Sequence, residues 1–272
     1  MARTATSLEV LRTEPLGPHM IRVVLGGDEL ARFPDTGYTD RYVKLLFTPP
    51  GVEYPEPFDV EAIRRELPRE QWPRIRTYTV RRLDHDAGEL TIDFVHHGDS
   101  GVAGPWAAAA QPGDTIHLRG PSGAYAPDRS ADWHLFVGDE AGLPAIAASL
   151  ESLGPDDHAV AFIEVDGPEH ELPIATAATL ELHWLHRGDA AAGSTTLLDE
   201  AVRSYPWRDG RVQAFVHGES ALLKSVRPYL LSERGVPRSD LSVSAYWRRG
   251  TTEEGFRTWK SQQQDAIMRP GG

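Results

Sequence analysis

Trp133-His134-Leu135-Phe136-Val137, followed by Gly138-Asp139-Glu140, divides this chain into two kinds of structure. The first five residues are a short, almost continuous apolar run, the pattern of a strand buried on both faces of a parallel sheet. Glycine and two acids end it, and the pattern beyond predicts a helix over Pro144–Leu153. Buried strands follow at His158–Val165, Leu180–Leu185 and Arg211–His217, and a last one at Leu241–Tyr246. Helices are expected near Ser194–Ser204 and Ser220–Ser232, and the polar tail has a helical pattern over Glu253–Gln264. Strands alternating with helices imply a doubly wound parallel sheet.

Upstream the pattern is different. Short strands are expected at Ser7–Leu11, Met20–Gly26, Arg41–Thr48, Arg76–Leu83, Glu89–His96 and Thr115–Arg119. Turns punctuate them at Asp86-Ala87-Gly88 and Gln111-Pro112-Gly113-Asp114. Many short strands with such turns imply an antiparallel barrel or sandwich. Gly51–Trp72 reads as a long loop with a helical piece at Val60–Leu67, and a short helix is expected at Gly104–Ala110. The boundary falls near Ala126–Ala131. The expected organisation is a β-barrel over 1–128, an α/β domain over 129–247 and a tail or helix over 248–272.

Composition narrows the function. The 272 residues are 40% apolar and 25% charged, an ordinary globular mixture, with a formal net charge of −12. Such a chain repels nucleic acid and anionic membranes. It has no cysteine, which excludes disulfides, thiol catalysis and cysteine-held zinc or iron–sulfur clusters. Met1–Glu9 lacks the apolar core of a signal peptide, and no apolar run is long enough to span a bilayer, so a cytoplasmic protein is expected; a monomer is the default expectation, which the sequence does not fix. His96-His97 and His183-x-x-His186 lack a third ligand at zinc spacing, so no metal site is expected.

Ile75-Arg76-Thr77-Tyr78-Thr79-Val80 reads as a strand on which Arg76 and Tyr78 share one face and Thr79 takes the other. A fixed cation, an aromatic plane and a hydroxyl in this order suit a flavin dinucleotide. The guanidinium grips the pyrophosphate, the ring lies against the flavin, and the hydroxyl reaches a ring nitrogen. The same tetrapeptide also fits a solvated strand face. Asp93-Phe94-Val95-His96-His97-Gly98 ends a strand and leads to Gly101-Val102-Ala103-Gly104-Pro105-Trp106, a glycine turn opening a helix. Such a turn directs free N–H groups at an anion, or is a plain strand–turn–helix link.

Barrel first, α/β domain second, with Arg-x-Tyr-Thr on a barrel strand: the order resembles the ferredoxin–NADP reductase superfamily. From about Arg41 to Gly250 the finer pattern resembles its siderophore-interacting branch of ferric-siderophore reductases. The resemblance implies FAD held by Arg76, Thr77, Tyr78, Thr79, Asp93, Val95, His97, Gly101, Val102, Ala103, Gly104, Trp106 and Trp247. It implies NADPH or NADH, or reduced ferredoxin, as electron donor, with Gly138, Asp139, Glu140, Arg187 and Glu219 on the dinucleotide side. His97 and Arg187 also fit plain structural or solvated roles. The resemblance further implies a cationic substrate pocket of Lys44, Arg248 and Arg249, with no acid–base catalyst.

Three positions depart from the family pattern. Gly104 stands where Ser is usual, Ala141-Gly142 replace Thr-Ala in Gly-Asp-Glu-Thr-Ala-Leu-Pro-Ala, and Ser122 replaces Arg in Gly-Pro-Arg-Gly. Arg119 is close in sequence to the missing cation but is expected to point elsewhere on an extended strand. The implied activity is reduction of a ferric siderophore with release of Fe(II). The alternatives are a general flavin NAD(P)H or ferredoxin oxidoreductase, and a carrier of siderophore or flavin without turnover.

Overall fold

The computed structural model describes residues 5–55, 58–99 and 101–268; Met1–Thr4, part of the Gly51–Trp72 loop and the end of the tail lie outside them. Alternating apolar residues in the first part make seven strands: β1 (Thr6–Gly17), β2 (Met20–Gly26), β3 (Tyr42–Phe47), β4 (Arg74–Thr79), β5 (Arg82–Asp84), β6 (Glu89–Val95) and β7 (Thr115–Ser122). Their order is β4-β3-β7-β1-β2-β6-β5, with every neighbouring pair antiparallel.

The two edge strands of this sheet, β4 and β5, are consecutive in the chain. Only Val80 and Arg81 separate them, so the sheet must curl until its edges meet. Val80 N–H donates to Arg41 O just before β3, and Arg81 N–H donates to Thr91 O on β6, both at 2.8 Å. Two residues thus bond one edge to the other and close a barrel. The segment Arg76–Leu83 is therefore two strands rather than the one expected.

The barrel is filled by the inward-facing residues of successive strands, among them Val23, Leu25, Val43, Leu45, Leu90, Ile92 and Leu118. Helix α1 (Val60–Glu66) is capped by Asp59, whose Oδ1 accepts from Glu61 N (2.8 Å) and Ala62 N (3.3 Å). It lays Val60 and Ile63 on Leu46 and Phe58. Helix α2 (Ala103–Ala109) turns Ala103 and Ala107 into the barrel core.

The second part is a five-stranded parallel sheet: β8 (Trp133–Asp139), β9 (His158–Val165), β10 (Thr179–His186), β11 (Val212–Glu219) and β12 (Leu241–Trp247), ordered β10-β9-β8-β11-β12. All seven residues of β8 are buried, as its apolar run demands. The connecting helices are α3 (Leu143–Glu151), α4 (Leu197–Ser204) and α5 (Leu222–Pro228), and α6 (Glu253–Met268) follows β12. A π-helical turn at Tyr229–Glu233 extends α5. The core centres on Trp133, Leu135, Val137, Val160, Val202 and Val216.

By contacts the chain forms two compact units. One is built from the chain through Pro127 with Pro144–Gly154 and Glu169–Ala177; the other from Asp128–Leu143, Pro155–Pro168 and the chain from Ala178 on. Among the described residues no helix is long and apolar enough to cross a membrane.

Candidate functional site

In the barrel unit the register of β3 and β4 sorts the expected site residues by face. Directly opposed residues of an antiparallel pair share a face. Tyr78 lies opposite Val43 and Arg76 opposite Leu45, so both join the inner face; Thr77 lies opposite Lys44 on the outer one. The Tyr78 ring rests on Phe94 (4.5 Å between centroids), Phe94 on Trp106 (5.7 Å) and Trp106 on Phe47 (5.5 Å). Tyr78 is half-buried at the end of this row, with its ring supported from behind. Arg76 is half-buried and donates Nη1 to Ile75 O (2.9 Å). Thr79 is buried.

The turn before α2 has Gly101 at φ +88°, a conformation that favours glycine, and no side chain caps the helix at Val102. Gly104 is pressed against the end of β6, where an added Cβ would lie 3.2 Å from Val95 O. The Ser-to-Gly departure therefore lets the helix start approach the strand closely. A supported aromatic plane, an arginine on the same strand face and an uncapped glycine turn together fit a flavin dinucleotide.

Several expected cofactor residues have other tasks. Both oxygens of Asp93 are engaged by Arg22 (2.7 and 2.9 Å), its direct cross-strand partner, and Arg81 stands 3.8 Å away. Val102, Ala103 and Trp106 pack into the barrel core, which leaves their backbone as what they can offer a ligand. His97 meets His19 edge-on (5.4 Å), and His19 contacts His170 (4.5 Å).

Lys44 is exposed, as alternation requires. Its register partner on β7 is Arg119, and Tyr42 pairs with Ser122, with a shift in register between the two pairs. Tyr42 and Lys44 share a face, so Arg119 and Ser122 do too. The irregularity around Gly120-Pro121 overturns the expectation that Arg119 points elsewhere: it stands beside Lys44, 3.5 Å from Glu61.

In the parallel-sheet unit the carboxyl ends of β8 and β11 flank the point where the strand order reverses, the usual ligand crevice of such sheets. The acids expected to face a dinucleotide turn inward instead. Asp139 is buried, and its carboxylate accepts from Trp247 Nε1 (2.7 Å), Glu219 N (2.9 Å), Ala141 N (3.0 Å) and Gly142 N (3.2 Å). Burial pushes its carboxyl up to about 6 despite these donors. Gly218 is required beside it, since an added Cβ would lie 2.8 Å from Asp139 Oδ2. Gly142 likewise sits where a Cβ would be 2.3 Å from His217 O.

Glu219 accepts from Arg249 N (3.0 Å) and Ser220 Oγ (2.9 Å) and also from Ala221 N. Arg187 is 8% exposed, and its guanidinium holds Glu140 (2.9 and 2.8 Å) and Asp166. The neighbouring acids raise its pKa over the opposing effect of burial. Arg187 is thus a buried structural cation rather than an open ligand for a ribose phosphate. Glu164, with its pKa raised mainly by burial, accepts from Thr195 Oγ1 (2.5 Å).

Trp247 ends β12 with its indole fixed by Asp139; Arg248 lies over the Trp259 ring (5.1 Å), and Arg249 is exposed. Sequence reasoning found these residues but not their partners. It also missed Lys260, whose Nζ donates to Ser244 Oγ (3.0 Å) and Ala245 O (2.9 Å).

A closed antiparallel barrel carrying the Arg-x-Tyr-Thr strand, followed by a five-stranded parallel sheet, is the fold of ferredoxin–NADP reductases, and the matches below make the chain an FAD-dependent oxidoreductase. Residues 9–125 match the siderophore-interacting FAD-binding domain, and residues 131–250 match the siderophore-interacting protein model. The chain is 31% identical to the ferric vibriobactin reductase ViuB of Vibrio cholerae, over 92% of this chain and 91% of that protein. It is 31% identical to the NADPH-dependent ferric-chelate reductase of Escherichia coli K12, over 88% of this chain and 91% of the other. Among solved structures, a siderophore utilization protein from T. fusca superposes with a TM-score of 0.79 at 38% identity, covering 91% of this chain and 94% of that one. This chain belongs to the siderophore-interacting protein family.

Proposed function

We propose that this protein is a flavin-dependent ferric-siderophore reductase that draws electrons from a nicotinamide dinucleotide or a ferredoxin and releases iron as Fe(II). The observations that carry the proposal are the face shared by Arg76 and Tyr78 and the uncapped Gly101–Gly104 turn, in a chain matched along both halves by the siderophore-interacting family. When bound, FAD supplies the two-electron to one-electron conversion that no side chain offers.

The residues of the chain bind and position. Arg76 and the N–H groups of the glycine turn hold the pyrophosphate, while Tyr78, backed by Phe94, supports the ring system. Thr79 lies on the opposite face from Tyr78, one residue on, and its hydroxyl serves the ring edge. Lys44 with Arg119, and separately Arg248 with Arg249, supply positive charge for an anionic chelate. Iron(III) is the substrate's own metal and needs no resident site. The residues of 1–128 serve the flavin and those of 129–247 the donor, with 248–272 as the tail; a cytoplasmic monomer completes this proposal.

The pairing of Arg187 with Glu140 and Asp166 favours weak use of a dinucleotide phosphate. With Ala141 lacking a hydroxyl, the KM for NADH or NADPH falls toward the high end of roughly 1 μM–1 mM or beyond. The same observation favours ferredoxin as the better donor.

Purified protein should be yellow and release FAD on denaturation. Mixed with NADH, NADPH or reduced ferredoxin, a ferric siderophore and a ferrous trap, it should form the trapped Fe(II) complex at a rate proportional to enzyme. A colourless protein that takes up no added FAD overturns the proposal. A yellow protein whose flavin is reduced but which leaves every ferric siderophore unchanged points to the general oxidoreductase. A yellow protein that accepts electrons from no donor points to the carrier.

A further inference from the structure

Strand β12 is the edge of the parallel sheet, and a cleft of about 330 Å³ lies where it meets α5 and α6. The cleft is bounded by α5, the π-helical turn, Arg238, β12 and α6. Its described lining includes no residue of β8 or β11, whereas the donor crevice lies between those two strands.

Its lining has the composition of a small-molecule site. Leu223, Leu231, Leu241, Val243 and Trp259 make an apolar surface. Three cations line it, Arg227 from α5, Arg238 from before β12 and Lys260 from α6, and no acid lines it among the described residues. In a chain of net charge −12, a cleft whose described charged lining is all cationic calls for a physical cause. The acids nearest in sequence are turned away: Glu233 accepts from Arg203 (3.2 Å), and Asp240 accepts from Arg211 (2.8 and 2.9 Å). Arg227 and Arg238 consequently have no carboxylate partner among the described residues.

Lys260 is half-buried and held in place by Ser244 and Ala245. Burial lowers its pKa, and Glu253 on the same helix is the acid whose charge opposes that shift. An anion in the cleft would complement all three cations where apolar walls weaken solvent screening.

We propose that this cleft binds a small amphiphilic anion, with Arg227 and Arg238 pairing its acidic head and the leucines and Trp259 covering its apolar body. The volume sits at the lower limit of roughly 300–1,000 Å³ for such sites, which suits a one- or two-ring or short-chain acid and excludes a dinucleotide. Carboxylate, sulfonate and phosphate heads share the needed chemistry. The proposal does not depend on the flavin reading, since none of the Arg76, Tyr78 or Gly101–Gly104 residues lines the cleft.

The test uses the full chain and 8-anilinonaphthalene-1-sulfonate as probe, followed by calorimetry and by energy transfer from tryptophan. The parent should bind one equivalent, with transfer reduced in Trp259→Phe. Arg227→Gln/Arg238→Gln should bind at least tenfold more weakly while its melting temperature stays within a degree or two of the parent, a change on the order of surface substitutions. Neutral N-phenyl-1-naphthylamine should bind the parent at least tenfold more weakly than the sulfonate, and should not distinguish parent from double variant. Arg76→Ala, expected to lose FAD, should bind the sulfonate like the parent. Undiminished sulfonate binding in the double variant, equal affinity for the neutral probe, or loss of binding in Arg76→Ala would each overturn the proposal.

Discussion

Arg76 in the barrel and Arg187 at the carboxyl edge of the parallel sheet carry the same side chain into opposite settings. Arg76 sits half-buried on a strand face with Tyr78. Arg187 is buried and holds Glu140 and Asp166. The sequence suggests the flavin pyrophosphate for Arg76 and the dinucleotide side for Arg187, where a solvated role also fits. The first setting is the one proposed above to meet a ligand; the second is held by its own acids. The role of Arg187 is therefore decided by the carboxylates that reach it, and those come from elsewhere in the chain.

Five measurements break or sharpen this contrast. The largest effect belongs to Arg187→Ala, which leaves Glu140 and Asp166 without their cation. It should cost about 3–5 kcal/mol in chemical denaturation, as loss of one partner of a buried pair does. Normal stability with only a raised NADPH KM would break the comparison.

Burial in the same sheet also makes stability depend on pH. His217 is pushed down to about 3, mainly by burial, and the fully buried His134 is pushed down as well. Both stay neutral in the folded protein while the unfolded chain takes up protons. Stability is thus fully present above about pH 6.5 and is lost as pH falls, by up to ~1.4 kcal/mol per pH unit for each histidine. Asp139, raised to about 6, acts in the opposite direction between about pH 6 and 4. Urea denaturation of parent and His217→Gln, both across pH 7 to 4, removes the Asp139 contribution from the difference. The variant should show the shallower loss, and parallel curves would contradict it.

In the barrel, Arg76→Ala should weaken FAD binding by about 1.5–3 kcal/mol, roughly ten- to a hundredfold, with little change in the melting of the flavin-free protein. FAD retention equal to the parent would make Arg76 a surface residue and remove the contrast with Arg187. A smaller effect is expected between Asp139 and Trp247. A double-mutant cycle of Asp139→Asn and Trp247→Phe should give a coupling on the order of 1 kcal/mol in stability. Zero coupling would mean that the indole is placed by packing alone. The smallest effect is at Lys44, which is exposed. Lys44→Ala should raise the KM for an anionic ferric siderophore a few-fold at low salt, with unchanged flavin reduction, and about 0.15 M salt should largely erase the difference. An unchanged KM at low salt would place the substrate elsewhere.

The local parts of this molecule were legible. The run Trp133–Val137 announced a fully buried parallel strand, and alternation put Lys44 outside and Arg76 with Tyr78 on one face. The pieces that were not legible depend on partners far away in the chain. Asp139 and Trp247 are 108 positions apart, and Glu140 and Arg187 are 47 apart. Neither separation has a period that a local pattern would reveal. Arg119 was misassigned because side-chain parity along β7 breaks at Gly120-Pro121, and an irregularity of that kind is fixed by the neighbouring strand. The split of Arg76–Leu83 into two strands had the same origin, since Val80 and Arg81 bond to β3's start and to β6.

Gly142 has a bearing on any attempt to redesign the donor side. Restoring the family's Thr-Ala at Ala141-Gly142 looks like two independent conservative steps. They are not equivalent, because a methyl group at 142 would collide with backbone, where no side chain can yield. Alanine there must push the loop away from β11, and Asp139 bonds the N–H groups of both loop residues. The order of substitution then matters. Threonine at 141 alone tests the missing hydroxyl on the present scaffold, whereas alanine at 142 first changes the scaffold on which that hydroxyl would be judged.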